Sequence, residues 1–383
     1  MAGRRIVSIL GNGLLVGAGI LSVCLVAEGA VRLGYVMPSK GMDFFNLKAS
    51  TYYYKHEDLG WLPRAGVFGS HEQPGSFTTT FHTNSRGLRD KEYALEKFPD
   101  RLRIVVLGDS FTWGWGVDDK EIYTEVIESM VKNSDVINLG VTAFNTKQEF
   151  EYLKMEGMLY GPDIVVLALC MNDIEDNLIP NMSSPASNNP KPRVSEESLF
   201  VRMKVFVATH SALYNFVVER VNTNKRLVHL LAGIGVKGEL GEFEALDSSL
   251  KPSLKIYPPS LLLQWERLTR LLLEMQELLH ERNIRFIVAR IPALQAVDER
   301  VFKDTIAYTT YDPEDFEIDK PYRMLVEFAR SNRIEIVNPL QEFREHHSQT
   351  KLFLERDMHF NKAGHRYFGR VIAEYINEGQ AVR

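Results

Sequence analysis

From residue 100 onward, short runs of apolar residues alternate with longer stretches in which apolar positions recur every three or four residues. The runs are RIVVLGD (103–109), DVINLG (135–140), DIVVLALC (163–170), IRFIVARI (284–291) and IEIVNP (334–339). Each is short for a helix and apolar at successive positions, the pattern of a strand buried on both faces. Helical periodicity occupies about 118–132, 146–159, 260–282, 321–331 and, after a short helix, 362–377. Strands separated by helices predict right-handed crossovers and a parallel sheet. The expected fold class is therefore α/β, a three-layer α/β/α sandwich on a five-stranded parallel flavodoxin-like sheet.

Two segments break this rhythm. Residues 37–99 are rich in Gly, Pro, Thr and aromatics, and GSFTTTFHTNSRGLRD alternates as an exposed strand does, which predicts a small β-rich preface. About eighty residues at 178–259 contain no strand of the sheet and open on the irregular PNMSSPASNNPKPR. SLFVRMKVFVATHSALYNFVVERV within them reads as a helix, and an insertion of that size over the carboxyl ends of strands reads as a lid or a partner surface. The organisation expected is a start and anchor at 1–36, a preface at 37–99, and a main domain at 100–383 that carries the insertion.

The first residues bear on location. The 22 positions from Ile6 to Ala27 carry no charge, about the length that crosses a bilayer as helix. Arg4 and Arg5 precede them, which puts the N-terminus in the cytoplasm and the rest outside. A cleaved signal peptide shares these features, but the run is long and VAEGAVRLGY offers no good small-residue cleavage site. The expectation is a single-pass anchor in the inner membrane with the main domain periplasmic. Val23 stands where a lipoprotein box before Cys24 wants a small residue. Gly11, Gly13 and Gly17 resemble a dinucleotide loop, yet no amphipathic helix and acidic strand end follow, and small residues spaced by four are ordinary in membrane helices.

Composition excludes other classes. With 45 Lys and Arg against 50 Asp and Glu the net charge is −5, interspersed, so no basic stripe invites nucleic acid. Two cysteines, Cys24 and Cys170, make no disulfide framework, and Cys170 at a strand end reads as a small hydrophobe.

Reactive side chains gather where strands end, the place at which open α/β sheets bind ligands. The first strand ends in Gly108-Asp109-Ser110, the second in Asn138-Leu139-Gly140 and the third in Cys170-Met171-Asn172-Asp173; Asp357, His359 and His365 precede or open the last helix. A serine becomes a nucleophile when a base takes its proton, a third group orients the base, and donors await the oxyanion. Ser110 as nucleophile, His359 as base and Asp357 as orienter meet the first requirements. The Ser110 and Gly140 N–H groups and the Asn172 amide are candidates for the last, with Gly140 expected to keep the approach to a substrate oxygen clear. Asp109 reads as a structural hydrogen bonder in the turn. Trp113, Trp115, Phe144 and Met171 are candidates for a substrate pocket, with core packing the other reading of the aromatics. Asp357, His359 and His365 find no second ligand cluster, so neither a metal nor a cofactor is expected.

These residues carry a resemblance to the SGNH hydrolase superfamily of GDSL-like esterases and acylhydrolases. VVLGDSFT resembles its nucleophile block with Ser110, INLGVTAFNT its glycine block with Gly140, LCMNDIEDN its asparagine block with Asn172, and DMHFNKAGH its closing block with Asp357 and His359. The resemblance runs from about 100 to 378, and LGWLPRAG…TNSRGLRD is similar in style to the preface of membrane-anchored bacterial members. Met171 departs from the glycine that often precedes the block's asparagine. Asp357 and His359 are separated by one residue rather than two, a spacing that resembles a branch acting on exported polysaccharides. His365 is the alternative base.

The resemblance implies a serine esterase acting through an acyl-serine intermediate, on an O-acyl, in particular O-acetyl, ester of an extracytoplasmic glycan or other envelope substrate. An O-acyltransferase would share the intermediate. A non-catalytic carbohydrate-binding or assembly subunit of an envelope polysaccharide complex, and a long-chain lipase, are the other readings. Expected partners are the acylated substrate, the membrane and envelope polysaccharide-assembly proteins.

Overall fold

The computed structural model describes residues 22–29, 52–73, 76–171, 173–176, 213, 246, 249–307, 309, 311–355 and 357–381. The chain divides into two compact units, Met1–Asn46 with Ala186–Gly241, and Leu47–Pro185 with Glu242–Arg383. In the first, residues 22–29 are helical and Glu28 accepts the Leu213 N–H at 2.9 Å. Of the expected membrane span at 6–27 only residues 22–27 are described, and of the expected helix within 178–259 only Leu213; the remainder of both lies outside the described residues. Among the described residues no helix is long and apolar enough to cross a membrane.

The second unit is built on a parallel sheet of β5 (Leu102–Gly108), β6 (Ser134–Gly140), β7 (Ile164–Leu169), β8 (Arg285–Arg290) and β9 (Glu335–Val337). Its spatial order is β6-β5-β7-β8-β9, the flavodoxin-like order expected from the strand and helix pattern. Every residue of β6 and β7 is buried, because helices cover both faces. Right-handed crossovers put α2 (Tyr123–Met130) and the final helix, α6 (Lys362–Ala381), together on one face. Helices α3 (Thr146–Met155), α4 (Pro259–His280) and α5 (Lys320–Ser331) take the other. The 22-residue α4 shows why it belongs there: Leu261, Trp265, Leu268, Leu272, Met275 and Leu279 form one buried stripe, and Pro259 opens the helix where its missing N–H costs nothing.

β6 is an edge strand, and side chains from the preceding segment cover its free edge. Asp90 Oδ2 accepts the Asn138 N–H at 2.8 Å, the Tyr93 hydroxyl donates to Val136 O at 2.9 Å, and Arg101 donates to Ser134 O. Ahead of the sheet stand two antiparallel hairpins, β1 (Tyr53–His56) with β2 (Gly60–Pro63), and β3 (Phe68–Gln73) with β4 (Phe77–His82). Both reach the carboxyl end of the sheet through side chains described below.

Candidate active site

β5 ends at Gly108 and the chain turns at Asp109 into a single helical turn, α1 (Ser110–Trp113). Asp109 is the cap: its carboxylate accepts the Phe111 N–H at 2.9 Å, so it serves the turn as the sequence suggested. Ser110 is thereby placed at the first helical position, half-buried at the carboxyl end of the sheet.

The histidine comes from 249 residues away, and the aspartate lies beside it. Ser110 Oγ lies 2.7 Å from His359 Nε2, and His359 Nδ1 lies 2.5 Å from Asp357 Oδ1. Asp357 Oδ1 also accepts the His359 backbone N–H at 2.8 Å, so the one-residue spacing folds the carboxylate back onto its own histidine. Burial pushes the Asp357 carboxyl up, but the hydrogen bonds and charge of His359, helped by the Trp115 indole N–H, outweigh it and hold it below the usual range. An ionised Asp357 fixes the proton on Nδ1 and leaves Nε2 to accept from the serine hydroxyl, the arrangement a general base requires.

His365, the alternative base, is elsewhere. It is fully buried in α6, and its Nδ1 accepts the Tyr123 N–H at 3.3 Å, one of the donors at the start of α2 that lack an intrahelical partner. Burial, with the charges of Arg89 and His359, pushes its imidazole down to about 3, so it stays neutral and structural.

Gly140 has a different reason to be glycine from the one expected. A Cβ there would lie 2.5 Å from the carbonyl carbon of Thr112 and closer still to the Trp113 nitrogen, so the residue is small because α1 rests directly on β6, not to clear a path for substrate. Its N–H is already taken by Asn138 Oδ1 at 2.8 Å, while Asn138 Nδ2 donates to Thr112 O at 2.9 Å. Asn138 thus pins the helix bearing Ser110 to the neighbouring strand.

Ala143, three residues on, was not signalled by sequence. It is exposed and sits at φ +60°, a left-handed conformation that a residue with a Cβ adopts at a cost and that clusters at functional sites. The N–H groups of Ser110 and Ala143 have no acceptor among the described residues. The first hairpin holds this loop: Tyr53 OH lies 2.6 Å from Thr142 Oγ1, and the Trp61 indole donates to Thr142 O at 3.0 Å. Asn172 lies outside the described residues.

Three of the four pocket candidates are core, and the fourth, Trp115, is half-buried. Trp113 and Phe144 are wholly buried and Met171 is 1% exposed. Trp113 packs among Tyr53, His71 and Phe81, and Phe144 packs edge-on to Trp61 and Tyr152. Trp113 and Phe144 lose their place as lining because side chains of the preface hairpins cover them. Among the described residues no group of three His, Cys, Asp or Glu could hold a metal ion.

A parallel α/β sheet with a serine, a histidine and an aspartate hydrogen-bonded in series at its carboxyl end defines a serine hydrolase. The chain belongs to the GDSL-like lipase/acylhydrolase family, whose model matches residues 106–367. No curated protein matches it closely enough to count as a relative. Similar solved structures include an acetyl xylan esterase, with 12% identity over 72% of this chain and 100% of that one and a TM-score of 0.39. A lipase/acylhydrolase from Enterococcus faecalis has 13% identity over 72% and 95%, with a TM-score of 0.36. A GDSL-like lipase from Bacteroides thetaiotaomicron has 12% identity over 75% and 93%, with a TM-score of 0.38.

Proposed function

We propose that the protein is a serine esterase that removes a small O-acyl group, acetyl in the first instance, from a glycan or other substrate of the cell envelope. Ser110 attacks the ester carbonyl as His359 Nε2 takes its proton. The oxyanion meets the N–H groups of Ser110 and Ala143 together with the Asn172 amide. The alkoxide leaves with the proton from His359, and water then attacks acyl-Ser110 with the same histidine as base. The observation that carries this reading is the continuous series Ser110 Oγ, His359 Nε2, His359 Nδ1, Asp357 Oδ1 at 2.7 and 2.5 Å.

The envelope setting rests on Arg4, Arg5 and the uncharged run that follows, which suit an anchor in the inner membrane with the hydrolase domain on the periplasmic side. Membership of the family does not fix the substrate, so the chain length of the acyl group is the first thing to measure. The full-length protein is assayed on p-nitrophenyl acetate, butyrate and octanoate, beside Ser110→Ala. The expected rates fall from acetate to octanoate and vanish in the variant. Octanoate as the best substrate would replace this reading with a long-chain lipase, and an unchanged rate in Ser110→Ala would remove the serine mechanism.

A further inference from the structure

Asp357 has two carboxylate oxygens, and the histidine uses only one. Oδ1 receives both N–H groups of His359, while Oδ2 accepts the indole N–H of Trp115 at 3.3 Å. The terminal torsion of a carboxylate is broad, so a group held through one oxygen can swing about its last bond. A donor on the second oxygen removes that freedom and supplies a further hydrogen bond to a charge in a pocket where Asp357 and His359 are each only 12% exposed.

Trp115 is itself held by contact. Its ring centroid lies 4.4 Å from that of His71 on β3 and 5.8 Å, edge-on, from that of Phe77 on β4. His71 is buried with no partner for Nδ1 among the described residues, and burial with the charges of Arg89 and His359 pushes it down to about 3, so it presents an uncharged ring. The hairpin that carries these rings is fastened to the same two loops. Ser76 Oγ donates to Glu355 O at 2.5 Å, two residues before Asp357, and the Thr80 N–H donates to Asp118 Oδ1 at 3.0 Å, three residues after Trp115. The buried Arg89 guanidinium ties the loop as well, donating to Trp113 O, Gly114 O and Val117 O at 2.7–3.0 Å.

We infer that Trp115 is a positioning residue for the catalytic carboxylate and that the β3–β4 hairpin, which lies outside the sandwich, keeps it in that role. The inference rests on the serine-esterase reading above. Loss of a hydrogen bond to a charged group amounts to about ten- to a hundredfold. The loss falls on kcat, because Trp115 acts on the orientation of Asp357 and His359 and not on the bound ester.

Two substitutions separate the N–H from the ring. Trp115→Phe keeps an apolar ring and loses the donor. Trp115→His loses the benzo ring but keeps an N–H in register, since the imidazole Nε2 and the indole Nε1 stand the same two bonds from Cγ. Both are made in the full-length chain and assayed at pH 8 on p-nitrophenyl acetate, with Ser110→Ala alongside. Trp115→Phe is expected to lower kcat at least tenfold with KM within about twofold, and Trp115→His to stay within about threefold of the parent kcat. In proton NMR the low-field His359 Nδ1–H resonance should be sharp in the parent and in Trp115→His and broadened in Trp115→Phe. A Trp115→Phe protein with kcat within twofold of the parent, or a Trp115→His protein slower than Trp115→Phe, overturns the inference while an inactive Ser110→Ala leaves the esterase reading standing. A fully active Ser110→Ala removes both.

Discussion

Replacing Gly140 with alanine tests whether the nucleophile is set in place by the contact between α1 and β6. The added Cβ would lie 2.5 Å from Thr112 C and 2.7 Å from Thr112 Cβ, where real Cβ atoms essentially never come closer than 3.0 Å. Those atoms belong to the backbone and root of α1 and cannot swing away. Thr112 is further tethered through Asn138 Nδ2 on its carbonyl at 2.9 Å and the Tyr123 hydroxyl on its Oγ1 at 2.7 Å. Gly140 does not have a positive φ, so alanine brings no backbone strain of its own and the effect is steric. Relief requires α1 to move outward by about 1 Å, a degree of overpacking that costs roughly 1–3 kcal/mol in stability. A displacement of that size in a reacting group costs about 10²-fold in rate, and it would break the 2.7 Å contact between Ser110 and His359. Gly157→Ala serves as the comparison, because its Cβ would meet the ends of movable side chains, Leu153 Cδ1 at 2.9 Å and Leu139 Cδ2 at 3.1 Å, and no atom of α1. Urea unfolding and kcat/KM on p-nitrophenyl acetate are measured for both. Both variants should lose stability, and Gly140→Ala alone should lose about two orders of magnitude in kcat/KM. Parent-like kcat/KM in Gly140→Ala would refute the reasoning, since alanine keeps the N–H and changes only the packing.

His365 gives a prediction in pH. Its folded value of about 3, against 6.5 for the free side chain, means that the unfolded chain takes up a proton the folded protein refuses, so stability is lost as pH falls from 6.5 toward 3. At pH 4.5 the loss is about 3 kcal/mol relative to pH 8. Burial pushes the Asp90 and Glu149 carboxyls up, and these groups act with the opposite sign, so the useful quantity is the difference between the parent and His365→Asn. Asparagine keeps an acceptor for the Tyr123 N–H; the parent's loss between pH 8 and 4.5 should exceed the variant's by about that amount, with kcat within twofold, and a large fall in kcat would return His365 to the list of bases. Arg89→Lys keeps the charge but loses the fork that serves Asp119 and the carbonyls of residues 113, 114 and 117. It should cost about 2–4 kcal/mol in urea unfolding, and a cost under 0.5 kcal/mol would show that the clamp is dispensable.

The sheet was legible because strands buried on both faces must be apolar at successive positions, and little else in a sequence looks like IVVLG or IVVLAL. Ser110, His359 and Asp357 were legible because each lies just past a strand end or ahead of the last helix, where the topology brings the loops together. Reasons that depend on what touches what were not. Nothing local says that Gly140 underlies Thr112, that its N–H is taken by Asn138, or that an alanine at 143 is left-handed where a glycine or asparagine would have flagged the turn. Trp113 and Phe144 invited a pocket assignment because aromatics near a nucleophile are ambiguous until the covering hairpins are seen. The support of Asp357 by Trp115 joins residues 242 positions apart and leaves no periodic trace.

The central claim is that Ser110 is a nucleophile activated by His359. Its most direct test is a fluorophosphonate probe on the full-length protein, with the adduct located by peptide mass. The account predicts a single adduct on Ser110, none in Ser110→Ala, and labelling slowed at least a hundredfold in His359→Ala. An adduct on another residue, or labelling of His359→Ala at the parent rate, would contradict it.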